Sequence, residues 1–197
     1  MLNAVLFDLD NTLIDRDQAF RDCVCHHFGD PAVRAELFRL DSGGHGDREG
    51  LFCAWRRHTG ASMNQVILGR LIAERIRPDC GLLNALRVLS QTLKLGIITN
   101  GGSEIQRRKF CAAGLSEVIP HECVWVSAEV GMEKPDPAIF IFASQSLGVN
   151  PGNCLYLGDH EPDDLAGAVA AGMQARLVGA VLDAERLNVV MAQEPMP

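Results

Sequence analysis

Residues 4–12 read AVLFDLDNT (Ala4–Thr12), an apolar run that stops on two aspartates. Residues 4–9 have the composition of a buried strand, broken only by Asp8. Burying a carboxylate without a partner costs on the order of several kcal/mol, so Asp8 and Asp10 either cap a turn or hold a cation. Alternation along an extended chain puts the two on one side and Leu9 on the other. Two ionised carboxylates that close repel each other unless a cation sits between them. No His/Cys set with ligand spacing lies nearby, so the cation that fits is Mg²⁺ with oxygen ligands rather than zinc. Taken alone, the pair leaves the turn and the cation site equally open.

Four more short apolar runs resemble the first: 95–99, 122–127, 153–157 and 174–179, alongside 3–8 itself. Helical patterns at 81–92, 103–113, 137–148 and 162–171 alternate with them. Strands alternating with helices of this length predict an α/β fold, a doubly wound parallel sheet built from right-handed crossovers.

The first crossover is too long for that scheme. Roughly 65 residues, from Asp15 to Asp79, carry no strand pattern, far more than one helix needs. They read as amphipathic helices over 17–28, 31–40, 46–59 and 63–76, punctuated by Asp30-Pro31 and the DSGGHGD turn at 41–47. The expected organisation is an α/β core from residues 1–15 and 78–197, with a small α-helical cap from 16–77 inserted over the ligand crevice.

Four polar clusters fall just past predicted strand ends: DLDNT (8–12), TNGGS (99–103), EKPDP (133–137) and GDHEPDD (158–164). Open α/β sheets bind ligands at that edge, so these distant groups converge. Thr99, Asn100 and the Gly101-Gly102 pair stand at a strand-to-helix junction, with Ser103 as the expected N-cap. Glycines there let the backbone approach a ligand, and helix-start amides favour phosphate. Pro135 biases Lys134 toward an extended backbone, and Asp136-Pro137 reads as cap and first residue of the next helix. Lys134 is therefore held on a stiff loop, where a fixed positive charge suits a developing anion. Asp159 precedes the helix that Pro162 opens, which makes it a better metal ligand than Asp163 or Asp164, whose place in a first turn is favourable anyway.

Composition narrows the partners. Of 197 residues 47% are apolar, which suffices for a sizeable core, and the net charge is −7 with no basic stripe, which argues against nucleic acid. No run approaches a membrane span, and the N-terminus lacks the basic start and long apolar run of a secretion signal. The seven cysteines show no CxxC pairing, and contexts such as NCLYLGD suggest reduced thiols serving as small core residues in a cytoplasmic protein.

In their order and spacing, DLDNT, IITNGG, EKPDPAIF and YLGDHEPDDLAGAVAAGM resemble the haloacid dehalogenase superfamily. The resemblance is to its phosphatase-like members with a helical cap between the first and second motifs. It covers residues 1–15 and about 78–179; RPDCGLLNAL is similar to the family's return into the core, with Cys80 where a second proline is frequent. The resemblance implies that Asp8 is a nucleophile forming an aspartyl-phosphate and that Asp10 is the acid/base. It implies that Thr99 and nearby amides (Asn100, Gly101) bind the phosphoryl group with Lys134. It also implies Mg²⁺ held by Asp8, the backbone carbonyl of Asp10, Asp159, and either Asp164 or Asp163. The substrate so implied is a small phosphorylated metabolite. Dehalogenating members lack an aspartate at the position of Asp10, which places phosphatase above 2-haloacid dehalogenase. A phosphomutase would share the core, and a non-enzymatic phosphoacceptor is disfavoured by the long insertion.

Within the insertion, Arg21, His26, His27, Arg48, Arg56, Arg57 and His58 are the polar candidates for substrate contact, most of them expected on solvated faces. The CVCHH stretch (23–27) reads as a helix face rather than a metal site, because adjacent histidines point apart. Leu51, Phe52 and Trp55 are expected inside the helical unit.

Overall fold

A computed structural model of the protein describes residues 1–193. In chain order its first elements are β1 (Ala4–Phe7) and the helices α1 (Arg16–His27), α2 (Pro31–Asp41), α3 (Arg48–Thr59), α4 (Gln65–Ala73) and α5 (Cys80–Leu89). There follow β2 (Lys94–Thr99), α6 (Ser103–Ala112), β3 (Val124–Val126), a single turn α7 (Ser127–Val130) and α8 (Pro137–Ser146). The chain continues through β4 (Cys154–Gly158), α9 (Ala166–Ala170), β5 (Gln174–Leu177) and α10 (Ala184–Ala192). It divides into two compact units: Met1–Ile14 with the chain from Arg77 onward, and Asp15–Ile76.

In the first unit the described strands form one parallel sheet in the order β3-β2-β1-β4-β5. Strand order reverses beside β1, whose Phe7 pairs with Ile97 on one side and Leu157 on the other. The ends of β1, β2 and β4 therefore share one edge at the topological switch point. All four residues of β1 are fully buried, which explains why the central strand reads as an unbroken apolar run. Tyr156 of β4 packs edge-on against Phe140 of α8, with ring centroids 5.0 Å apart. Gly96 permits close strand packing, since a Cβ there would stand 2.6 Å from Trp125 and 2.8 Å from Leu6.

The predicted strands and helices of this unit are present, with shifted ends. The 122–127 strand shrinks to Val124–Val126, because a 3₁₀ turn occupies His121–Cys123 and α7 starts at Ser127. The single helix expected over 162–171 is instead a π-helical turn, Glu161–Leu165, running into α9. Helix α10 was not expected; its AERLNVVMA buries only Leu187, too little apolar patterning to register.

The second unit is helical, and each helix begins where a side chain caps it. Asp15 accepts from the Gln18 N–H, Asp30 from Ala32, Asp47 from Gly50 and Asn64 from Ile67. Leu37, Leu51, Trp55 and Leu68 are buried in its interior, and Trp55 meets Phe28 edge-on at 4.8 Å. Phe52 departs from expectation: it is only half-buried. Arg16 and Asp41, 3% and 2% exposed, form a two-pronged ion pair in which Arg16 Nη2 donates to Asp41 Oδ1 at 2.6 Å. Arg48 Nη1 adds a third bond to Asp41 at 2.9 Å.

All seven cysteines are free, but only Cys23 and Cys154 are buried; Cys25, Cys53, Cys80 and Cys111 are exposed and Cys123 is half-buried. The expectation of core thiols thus holds for a minority, the exposed four lying on outward helix faces. Among the described residues no helix is long and apolar enough to cross a membrane.

Candidate active site

The chain leaves β1 at Phe7 and turns sharply, with the Leu13 and Ile14 amides returning to the Leu9 carbonyl and Asn11 at a positive φ of 58°. Leu9 is wholly buried, and the two aspartates that flank it are each paired with a different lysine. Asp8 accepts from Lys134 Nζ at 2.5 Å. Asp10 accepts from Lys109 Nζ at 2.7 and 2.8 Å and from Gln106 Nε2 at 3.1 Å.

Lys134 is the centre of a buried polar group. Its ammonium, 4% exposed, also donates to Asp164 Oδ1 at 2.6 Å and to the Tyr156 hydroxyl at 3.2 Å. Tyr156 in turn donates to Asp164 at 3.0 Å. The lysine is fixed from its backbone as well: Asn100 Nδ2 donates to the Lys134 carbonyl and the Lys134 N–H donates to Asn100 Oδ1, both at 2.9 Å. The Lys134–Pro135 peptide is cis, and Asp136 caps α8 by accepting from the Ala138 N–H, with Pro137 at the first position.

Carboxylate oxygens of Asp8, Asp159 and Asp164 lie within 4.8 Å of one another, an all-oxygen set of the kind hard cations take. Asp164 reaches this group because Gly158 has no side chain; a Cβ there would stand 2.3 Å from the Asp164 carboxyl carbon. Asp163, one residue earlier, instead meets His160 Nδ1 at 3.0 Å. Burial pushes Asp8 up to about 7, the pull of Lys134 opposing it and Asp164 reinforcing it. Burial and then Asp164 push Asp159 up to about 6. Burial alone would depress Lys134, but its two carboxylate partners win and hold it above the ordinary lysine value.

Thr99, 1% exposed, accepts from Gln106 Nε2 at 2.5 Å. The Gly101 N–H is bonded to Ser127 Oγ at 2.9 Å, at a φ of 139° that favours glycine. Ser103 is not the cap of α6: Gly102 holds that position without a side-chain bond, and Ser103 Oγ donates to Glu129. The loop from Ser127 to Asp136, with Gly101, borders an open cleft of about 660 Å³.

Three contributors were not singled out from the sequence: Gln106, Lys109 and Tyr156. Tyr156 lies within an apolar strand run and reads as core. The other two stand between Ile105 and Phe110 on the buried face of α6, and that i, i+3 polar pair on an apolar stripe was the available signal.

Known proteins resemble this chain in sequence and in fold. Residues 2–172 match the sequence model of the haloacid dehalogenase-like hydrolases. A glyceraldehyde 3-phosphate phosphatase of Methanopyrus kandleri is 31% identical over 195 residues, spanning 88% of this chain and 82% of its own. A phosphoserine phosphatase of Thermus thermophilus is 40% identical over 83 residues, 42% of this chain and 32% of its own. The magnesium-bound YfnB of Bacillus subtilis superposes with a TM-score of 0.70 over 98% of this chain and 99% of its own; at 19% identity that likeness speaks for the fold.

Proposed function

Because the chain belongs to the haloacid dehalogenase-like hydrolase family, we propose that it is a Mg²⁺-dependent phosphatase of a small phosphorylated metabolite, working through an aspartyl-phosphate. The observation that carries this reading is the buried Lys134 ammonium bonded to both Asp8 and Asp164, beside Asp159. Relatives named as phosphatases, one of them aligned along most of both chains, support the same class.

Asp8 attacks phosphorus as the P–O bond to the leaving group breaks, and Asp10, which must reach that step protonated, gives its proton to the departing oxygen. Asp10, now a carboxylate, then takes a proton from the water that hydrolyses the aspartyl-phosphate, which returns Asp8 and releases phosphate. Lys134 holds Asp8 in place and offsets the charge that gathers on the phosphoryl oxygens. The Thr99 hydroxyl, oriented by Gln106, donates to those oxygens. The side chain of Asn100 contributes by locking the backbone of Lys134.

The side chains of Asp8, Asp159 and Asp164 and the Asp10 carbonyl would hold Mg²⁺, with Asp164 preferred to Asp163 because Asp163 is turned to His160. Bound there, Mg²⁺ supplies positive charge that offsets the phosphoryl oxygens. The helical unit Asp15–Ile76 would act as the cap that selects the leaving group.

The test is hydrolysis of p-nitrophenyl phosphate with Mg²⁺ and with EDTA, followed by kcat/KM across sugar phosphates, nucleoside monophosphates and short phospho-acids. Activity that requires Mg²⁺ and disappears in Asp8→Asn supports the reading. Chloride release from 2-chloropropionate in EDTA, without phosphate release, would point to a dehalogenase instead.

A further inference from the structure

We propose that Lys109 and Gln106 of α6 are positioning residues that set the carboxylate of Asp10 in line for proton transfer and tie it to Thr99. The inference rests on the reading of Asp10 as acid/base. Helix α6 buries one face made of Ile105, Gln106, Lys109 and Phe110 while Glu104 and Arg108 face solvent. Three residues apart, Gln106 and Lys109 project from the same side. The Lys109 side chain is 7% exposed, that of its partner Asp10 27%. Burying an ammonium costs free energy that an apolar residue on this face would avoid, whereas a partly open carboxylate has water available. The pair is therefore poorly explained as packing, and its evident result is orientation.

The contacts are specific. Lys109 Nζ donates to both oxygens of Asp10, at 2.8 and 2.7 Å, which fixes the rotation of the carboxylate as well as its place. Gln106 Nε2 donates at once to Asp10 Oδ2, at 3.1 Å, and to Thr99 Oγ1, at 2.5 Å. One amide thus couples the proton-transfer group to the hydroxyl at the end of β2. A carboxylate misplaced by about 1 Å can lose about 10²-fold in rate, so such a clamp has a measurable consequence.

The experiment uses two substrates that differ in their need for a proton. The p-nitrophenolate leaving group departs without one, whereas the alkoxide of glycerol phosphate needs one. The ratio of kcat/KM for glycerol phosphate to that for p-nitrophenyl phosphate reads proton donation in the first step. Asp10→Asn should lower this ratio by about 10²–10⁴-fold. Lys109→Met and Gln106→Leu should lower it in the same direction, Lys109→Met by about 10–100-fold, with Lys109→Arg recovering most of the loss. Should Lys109→Met fail to fold by circular dichroism, Gln106→Leu and Lys109→Arg are read by the same ratio. An unchanged ratio in the α6 variants, beside a collapsed ratio in Asp10→Asn, overturns the positioning role and leaves the reading of Asp10 intact. An unchanged ratio in Asp10→Asn overturns that reading, and the inference with it.

Discussion

Lys134 Nζ lies 2.5 Å from Asp8 Oδ1, two side chains 126 residues apart in sequence that are both nearly excluded from solvent. Removing one member of such a buried pair leaves an uncompensated charge, at a cost of about 3–5 kcal/mol. Lys134→Met should therefore lower the thermal stability of the metal-free protein at pH 8 and reduce kcat by at least about 10²-fold. Added Mg²⁺ should restore part of the stability, because it replaces the missing positive charge, and little of the activity. Melting curves with and without Mg²⁺ check the first statement and steady-state kinetics the second.

The same carboxylates give the protein a defined response to pH. Burial pushes Asp8 up to about 7 and Asp159 up to about 6. A carboxyl raised in the folded chain binds its proton more tightly there than in the unfolded chain, so its contribution to stability falls as pH climbs from about 4 toward about 7. Mg²⁺ favours the ionised forms, so the rise in Tm that it produces should be small at pH 5 and grow up to pH 7.5. A rise that is the same at every pH, or that persists at full size in Asp159→Asn, would go against this account.

Gly158→Ala tests the geometry at β4 without touching an ionisable group. The added Cβ would stand 2.3 Å from the Asp164 carboxyl carbon and must displace it from Lys134. Mg²⁺ affinity by calorimetry should fall by about 10–100-fold, the range seen when the supports of metal ligands are disturbed.

In the helical unit, Asp41→Asn should cost about 3–5 kcal/mol, since Arg16 and Arg48 both lose their buried carboxylate. Urea denaturation followed by circular dichroism measures it. A change below about 1 kcal/mol would place this pair with ordinary surface ion pairs.

The sheet was legible in the sequence because its central strands are buried on both faces and carry unbroken apolar runs, as in AVLF and CLYLG. Strand ends marked Asp8, Thr99 and Asp159, which stand at or just past the ends of β1, β2 and β4, since parallel strands share one ligand edge. What periodicity missed has local causes. Asp163 and Asp164 were inseparable because both fall in a first helical turn, where acids are favourable anyway; in the fold Glu161–Leu165 winds as a π-helical turn, with Asp164 bonded to Lys134 and Asp163 to His160. Lys109 and Gln106 went unnoticed because a polar helix residue is read by default as solvated. Their burial depends on Asp10 and Thr99, which tertiary structure alone brings to them.

In the proposed mechanism Asp8 carries the phosphoryl group. Asp10→Asn, which should slow breakdown of the proposed intermediate, can be mixed with Mg²⁺ and p-nitrophenyl phosphate, quenched in acid, digested and weighed by mass spectrometry. The account predicts a peptide spanning Asp8 heavier by one phosphoryl group, absent when Asp8→Asn is added to the same variant. A phosphoryl group on any other residue, or full turnover by Asp8→Asn alone, would contradict it.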